Sequence, residues 1–434
     1  MLTISLGDRL KRILLAVFLT AVFPFDSSAA EFGFRFDLLG GGAIQDPLAN
    51  SVWNPGNQAY QFSESYLFGE IRPDFEVRFG DSIRVVARPR LKGMLQSKPE
   101  IIGLEGETQL KDAYVNEAYV EAIPFDSLIL VAGRQNYQWG PAESINPTSF
   151  FFPDLTYRVE PFYEFRGRNM ARANLSLGDS WSVILLGELP PASDEHLETG
   201  NIPEDIFDER FAVKAEYAWG EGAHNIGLVA GRRKIDRNEN LFGAYSMVTA
   251  SSAWQLYADV LVTEGSPTLL LTGNPVEPLA ATRTSGYYPT GVAGVRYTFE
   301  GGAEWRWEWI FNRNGYTSRE YRDLKTLIAV NPLVIEYWAS RQTFPLIGEN
   351  YLYSSIRQTS QSTWLGFFRQ PILSLRVLWA MGDDSGFLSG SWEWGVGDSG
   401  TCYLYAGVAM GEPDSELRRA LDRVAGVAYR LSLW

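Results

Sequence analysis

Very few residues of this sequence have the type and spacing that catalysis needs. The 434 residues include two histidines and one cysteine. A nucleophilic triad needs a histidine held in a structured region, but His196 lies in an acidic run and His224 follows the turn-forming residues 220–222. Cys402 has no second cysteine to pair with, which excludes an internal disulfide or a cysteine-rich metal site. The sequence therefore predicts no enzyme, no metal and no cofactor.

The more informative charged residues are arginines that recur at alternate positions. In residues 70–92 charged and apolar side chains alternate, and successive side chains of a strand point to opposite faces. One face of such strands would therefore collect the basic residues. With similar residues further along the chain, the predicted basic wall comprises Arg84, Arg88, Arg90, Lys92, Arg134, Arg166, Arg168 and Arg172.

Two interpretations of the basic wall stay open. Rings of arginine or lysine side chains give anion pores their selectivity. Alternatively, the wall is paired with its own acidic residues across strands, with Asp74 opposite Arg88 and Glu70 opposite Lys92. Both interpretations hold at once if an arginine wall faces acidic groups across a constriction.

The strands that carry these residues show apolar and charged faces. The segment FGFRFDLL at residues 32–39 puts aromatic rings on one face and Arg35 and Asp37 on the other, which is the period-two pattern of a half-buried strand. Residues 304–312 repeat this pattern with tryptophans. Aromatic residues make up 14% of the chain, yet no apolar run is as long as a membrane helix. An inside-out barrel, with lipid outside and a polar lumen inside, best explains these faces.

The connections between predicted strands alternate between short and long. Tight turns are predicted near residues 80–81, 124–125, 178–179, 220–222, 251–252 and 300–302, and long connections at 43–63, 96–109, 137–159, 191–207, 265–289 and 314–349. Outer-membrane barrels have short periplasmic turns and long extracellular loops. We therefore predict an all-β fold, a transmembrane antiparallel up-and-down β-barrel of about 18 strands. The range of 16–20 reflects residues 314–370, where SREYRDLKTLIAV could be a helix and LVIEYWAS an extra strand.

The first residues have the features of a secretory signal. Basic residues precede an apolar stretch at 13–23, and Ser28 and Ala30 form an A-x-A-like cleavage site. We predict a signal peptide at 1–30 and a single barrel domain at 31–434. That domain would keep 35 basic and 50 acidic residues, because the leader contains three of the 38 and two of the 52. Its net charge of −15 argues against a nucleic-acid partner.

One segment resembles a known family. Residues 130–152 read LVAGRQNYQWGPAESINPTSFFF, which is similar to a strand-and-loop segment of the alginate-export family and related porin-like barrels. The matching residues are Gly133, Arg134, Gln135, Trp139, Gly140, Asn146 and Pro147. The resemblance implies an outer-membrane barrel that transports a solute, and it does not name the cargo.

The same segment predicts a structured loop at 137–159. Pro141 and Pro147 favour turns, and the three phenylalanines at 150–152 need an apolar environment. We predict a constriction loop that includes Trp139, Gly140, Asn146, Pro147 and Phe151. The alternative is a loop that packs over the extracellular rim.

The predicted function is a porin-like channel for passive passage of a polar solute across the bacterial outer membrane. An anion and a polysaccharide are both candidate solutes. The alternative is a structural sleeve or assembly partner in a secretion or electron-conduit complex. The expected partners are outer-membrane lipid, lipopolysaccharide and the barrel-assembly machinery. The last strand ends on Trp434, as the assembly signal of such barrels requires, although its apolar positions are one register away.

We expect cleavage between Ala30 and Glu31, because small residues occupy the two positions that signal peptidase reads. Intact-mass spectrometry of the membrane-inserted protein should give a chain that begins at Glu31. A mass that retains Met1 would contradict this prediction.

Overall fold

The structure is a computed structural model that describes residues 30–57, 60–97, 107–152, 159–189, 209–234, 238–274, 277–331, 346–359 and 369–433. The predicted leader up to residue 29, the acidic run at 193–208, the possible strand at 333–340 and Trp434 lie outside these ranges.

Eighteen strands lie in the described residues, which confirms the predicted fold class. Their bounds are β1 Ala30–Pro47, β2 Ser65–Phe79, β3 Ile83–Ser97, β4 Glu107–Phe125, β5 Leu128–Gln135, β6 Arg168–Leu177, β7 Trp181–Glu188, β8 Glu209–Trp219, β9 His224–Lys234, β10 Asn238–Thr249, β11 Trp254–Asn274, β12 Glu277–Thr298, β13 Ala303–Asn312, β14 Asn350–Thr359, β15 Arg369–Ala380, β16 Ser385–Val396, β17 Gly400–Met410 and β18 Leu421–Ser432. One α-helix, α1, spans Ser318–Val330, and single-turn 3-10 helices span Pro55–Asn57 and Glu416–Arg418.

The sheet is a closed antiparallel barrel. Each strand pairs with the next in sequence, and β1 also pairs with β18. Gly40 of β1, for example, lies opposite Gly69 of β2 on one side and Tyr429 of β18 on the other. Among the described strands none is left as an open edge, so each has a hydrogen-bonded neighbour on both sides.

The two faces of the barrel differ as predicted. Phe32, Leu91 and Trp309 are exposed on the outer face, whereas Arg90 and Glu308, next to two of them in sequence, are buried on the inner face. An apolar exterior with charged residues inside is the arrangement that a bilayer requires of a barrel.

The short turns lie together at one end of the barrel, and the longer connections lie mostly at the other. Two expectations about them were wrong. The turn predicted at 124–125 lies at 126–127 instead, because β4 continues to Phe125 and β5 begins at Leu128. The predicted loop at 265–289 is a long hairpin, in which β11 and β12 stay paired as far as Asn274 and Glu277. The Gly and Pro residues of this segment are typical of a loop, which is why a loop was predicted. In the structure they lie within the paired strands, where the register shifts on either side of Ser266 and Gly265 and Gly286 have positive φ angles.

Helix α1 confirms that residues 318–330 are helical. Thr317 and Glu320 form a capping box at its first turn, which satisfies free N–H groups there. Leu324, Leu327 and Ile328 are buried on one face, and their spacing is that of an amphipathic helix. Within the described ranges, no helix has the length and apolar character needed to cross a membrane.

Candidate functional site

The connection between β5 and β6 enters the barrel. We call residues 136–167 the lumen loop, of which 136–152 and 159–167 are described. Trp139 and the phenylalanines at 150–152 pack against inward-facing side chains of β6 to β11, among them Met170, Leu186 and Leu241. Their contacts with the inner faces of the strands show that the loop lies in the interior.

Two buried carboxylates hold the first half of the lumen loop at mid-height. The backbone N–H and the hydroxyl of Thr148 donate to Asp259 at 2.9 and 2.7 Å. The backbone N–H groups of Glu143 and Ser144 both donate to Glu308 at 2.8 Å. Asp259 lies five residues from the short-turn end of β11 at Trp254 and fifteen residues from the other end at Asn274, so it is only about 17 Å from the short-turn end. The loop therefore reaches well below the rim.

The loop's own turn residues shape this descent. Gly140 has a φ of 106°, a conformation that favours glycine. The Asn146 side chain accepts from the N–H of Ala142 at 2.9 Å and donates to its carbonyl at 2.8 Å. Pro147 then begins the turn that presents Thr148 to its carboxylate, and Phe151 is fully buried beside Trp139. The predicted loop residues thus share one folded segment.

The second half of the lumen loop contacts the opposite side of the barrel. The ring of Phe162 lies 5.3 Å from that of Phe68 on β2 and 5.6 Å from that of Tyr403 on β17. Glu164 accepts from Arg90 of β3 at 2.9 Å and lies 3.3 Å from the Arg72 guanidinium of β2. The described parts of the loop therefore contact strands around most of the circumference.

Most of the predicted basic wall faces inward and is ion-paired. Arg90 contacts Asp74 at 2.8 Å and Glu164 at 2.9 Å. The other pairs join Arg84 to Glu76 at 2.9 Å, Arg88 to Asp74 at 4.0 Å and to Glu117, Arg166 to Asp112, and Arg168 to Glu188 at 2.8 Å. The predicted opposition of Glu70 and Lys92 is present in the register. Arg172 lies over the Tyr137 ring at 4.1 Å. This geometry supports the self-paired interpretation of the wall.

Two members of the basic wall are placed differently from the prediction. Arg134 pairs with Asn169, which lies between the inward-facing Arg168 and Met170. The register therefore puts Arg134 on the outward face, and the prediction that it lines the lumen is wrong. Arg166 lies in the lumen loop before β6 rather than on a strand, although it still points to Asp112 on the inner face of β4.

Sequence reasoning missed a second charged region, on strands β12 to β18. Its inward-facing residues are Arg296, Glu304, Arg306, Glu308, Arg357, Arg376, Glu393 and Arg430, and Glu143 of the lumen loop joins them. Strand β13 contributes three of these residues, β17 contributes none, and each of the other strands contributes one, so only β13 shows a local run of charges. The strand register alone brings these residues together.

A further cluster closes over the end of the barrel that holds the longer connections. Trp53 stacks on Tyr321 of α1, and its indole N–H donates to the carbonyl of Asp414 at 3.0 Å. Buried Glu416 accepts from Tyr351 and from the N–H of Ile347, both at 2.6 Å. Burial raises the pKa of Glu416, and these hydrogen bonds oppose the shift. Three separate connections are thereby joined.

Comparison with known proteins agrees with this architecture at the level of the fold. No family model and no curated protein matches the chain. Among solved structures, OccAB1 of Acinetobacter baumannii is 9% identical, with a TM-score of 0.56 over 93% of this chain and 96% of its own. OccAB3 of the same organism is 8% identical, with a TM-score of 0.53 over 93% and 99%. The fold is that of an outer-membrane porin. The narrower resemblance to the alginate-export family is matched by no family model and stays a prediction.

The ion-paired wall generates a stability prediction. Arg90→Ala should lower the free energy of unfolding by about 1–3 kcal/mol, because it removes a buried guanidinium from two carboxylates that keep only longer contacts, Glu164 with Arg72 at 3.3 Å and Asp74 with Arg88 at 4.0 Å. Arg78→Ala on the same hairpin is the matched control, since Arg78 is also paired, with Glu76 at 2.6 Å. The Arg90 side chain is 3% exposed and that of Arg78 is 56% exposed, so the control should cost at most about 1 kcal/mol. Urea unfolding in lipid vesicles, followed by tryptophan fluorescence, compares the two, and equal losses would contradict the prediction.

The depth of the lumen loop generates a conductance prediction. Deleting residues 141–152 should raise single-channel conductance, because it removes the segment that Asp259 and Glu308 hold at mid-height. Assembly is checked first by the heat-dependent shift in gel mobility that folded barrels show. Unchanged conductance in a folded deletion variant would mean that this segment does not limit the pore.

Proposed function

We propose that this protein is an outer-membrane channel through which a polar solute diffuses, with the lumen loop as its constriction. One observation carries the proposal: charged side chains inside the closed barrel remain partly exposed to solvent. Arg84 and Arg88 on one wall and Glu143 on the lumen loop are examples. A solvated, charged interior behind an apolar exterior is suited to moving polar solutes and not lipids.

A small anion is the solute that the charge distribution favours. The basic wall contributes little net field, because its arginines are matched by carboxylates a few ångströms away. Strands β12 to β18 together with Glu143 of the lumen loop hold five inward arginines, Arg296, Arg306, Arg357, Arg376 and Arg430, against four inward carboxylates, Glu143, Glu304, Glu308 and Glu393. A local excess of guanidinium groups raises the concentration of anions beside it. A polysaccharide is less favoured, because the lumen loop contacts opposite walls of the interior.

The cellular setting follows from the same proposal. We infer export through a cleaved signal peptide, insertion by the barrel-assembly machinery, and contact with outer-membrane lipid and lipopolysaccharide. A sleeve around a partner chain is less well supported, since the protein's own loop already occupies the interior.

Planar-bilayer recording of the purified barrel tests this function. We expect stepwise channels and, in a potassium chloride gradient, a reversal potential with a modest preference for chloride. The preference should weaken as salt rises, because the Debye length falls from about 10 Å at 0.1 M to about 3 Å at 1 M. A folded barrel without conductance would refute the channel and favour the sleeve.

A further inference from the structure

A groove crosses the outer face of the barrel on strands β15 to β18 and β1. We call it the outer groove, and its volume is about 680 Å³. Three small residues at one height form its floor, because Gly390 pairs with Ala406 and Ala406 pairs with Ala425. Leu375 and Ile44 continue the same row on either side and close its two ends. The wall of the barrel is therefore recessed at this place.

Larger side chains border the outer groove above and below. On β17, Val408 lies on the side of the long connection and Leu404 on the side of the short turn. Both point outward like Ala406, since Tyr403 and Tyr405 between them are buried on the inner face. Their Cα atoms are about 13 Å apart along the strand. The space left between the two side chains suits a single hydrocarbon chain and is too narrow for a helix, which is about 10–12 Å across.

The outer groove faces the outer leaflet of the membrane. Ile44 and Leu375 are exposed on the apolar exterior of the barrel. Ala425 lies four residues from Leu421, where β18 begins at the end that holds the long connections. This is about 13 Å along the strand and about 10 Å in depth, given the strand tilt of such barrels. Because the long connections of outer-membrane barrels are extracellular, the groove lies among the acyl chains of the outer leaflet.

An exposed arginine lies at the extracellular rim of the outer groove. Arg423 lies opposite Asp46 in the register, its Nη2 atom is 3.0 Å from Asp46 Oδ2, and the two side chains are 68% and 54% exposed. Such an exposed pair contributes little stability, and it uses one nitrogen of a group that has five N–H donors. Guanidinium groups bind phosphate well. Arg423 is thus placed to contact a lipid phosphate directly above the groove.

An acyl chain is the occupant that the shape of the outer groove favours. Lipid tails are as apolar as leucine side chains, so packing decides what fills a recess on this face. An unfilled recess would leave its lining atoms without van der Waals contacts. A barrel wall is convex, so a second copy would rest on bordering side chains such as Leu404 and would not reach the floor at Ala406. A flexible hydrocarbon chain reaches the floor along its whole length.

We propose that the outer groove binds one acyl chain of lipid A, the lipid part of lipopolysaccharide, and that Arg423 contacts a phosphate of its headgroup. This inference rests on the contact with lipopolysaccharide that is part of the proposed function, and it assigns that contact to one place on the wall. It is independent of conductance, so a barrel that fails to form channels would still hold the lipid.

Native mass spectrometry of the detergent-extracted barrel, titrated with lipid A, measures this binding. Arg423→Gln should raise the lipid A concentration at half occupancy about fivefold, the factor that corresponds to 1 kcal/mol for a basic residue at a lipid surface. Ala406→Leu combined with Ala425→Leu fills the floor of the groove with side chains that lipid tolerates, and it should weaken binding at least as much. Phosphatidylglycerol has fewer acyl chains and phosphates than lipid A, so it should need a higher concentration.

Strand β9 offers matched controls. Arg232 is exposed on the outward face two residues from the long-connection end, so Arg232→Gln makes the same charge change at a similar height. Ala230 lies four residues from that end, but its neighbours in the row are the larger Val213 and Phe242. Arg232→Gln and Ala230→Leu should therefore bind lipid A as the wild type does.

Several outcomes overturn the proposal. Equal half-occupancy in Arg423→Gln and Arg232→Gln removes the phosphate contact, and unchanged binding in the folded double leucine variant places the lipid outside the groove. Equal binding of phosphatidylglycerol and lipid A by the wild type removes the assignment to lipid A. A mass of two or more chains that only the double leucine variant loses assigns the groove to a second copy. If that variant lacks the heat-dependent gel shift of a folded barrel, the two arginine variants decide alone.

Discussion

Backbone N–H and C=O groups inside a bilayer have no water to bond, so each spanning strand needs a hydrogen-bonded neighbour on both sides. In this protein the pairing of β1 with β18 supplies the last neighbour. Closure forces one side-chain face outward into lipid and the other inward, and the alternation of side chains then assigns every residue to a face. The charged residues of strands as different as β3 and β13 point inward for this single reason.

Closure also creates an interior that side chains alone do not fill, and the lumen loop enters it. A loop brought into the interior must have its backbone groups satisfied there. Asp259 and Glu308 together accept four hydrogen bonds from the loop, three from backbone N–H groups and one from the Thr148 hydroxyl. The phenylalanines at 150–152 cover the apolar side chains of β6 to β11. Carboxylates on one part of the wall and apolar side chains on another thus fix the position of the loop.

The faces of the strands could be predicted from sequence, because they depend only on period two. The meeting of distant side chains could not, because it depends on register. Arg134 is an exception among the predicted faces, because its pairing with Asn169 puts it on the outward face although the local motif suggested the lumen. The hairpin of β11 and β12 shows the same limit, since bulges let Gly and Pro residues remain within paired strands. The loop's length and turns were visible in the sequence, but Asp259 and Glu308, which hold it inside, gave no local signal.

The distribution of ion pairs explains why a dense run of arginines is a poor guide to the field in a pore. The residues that alternate in β2 and β3 are opposed by carboxylates on the same and neighbouring strands, so their fields cancel within a few ångströms. Such pairs stabilise the wall more than they attract a solute. The arginines of β12 to β18 are sparser along the chain, and they are not matched one to one by acidic groups. The field inside the barrel therefore depends on the imbalance of charge that the register leaves, and the Glu143 carboxylate carried in by the lumen loop changes that imbalance.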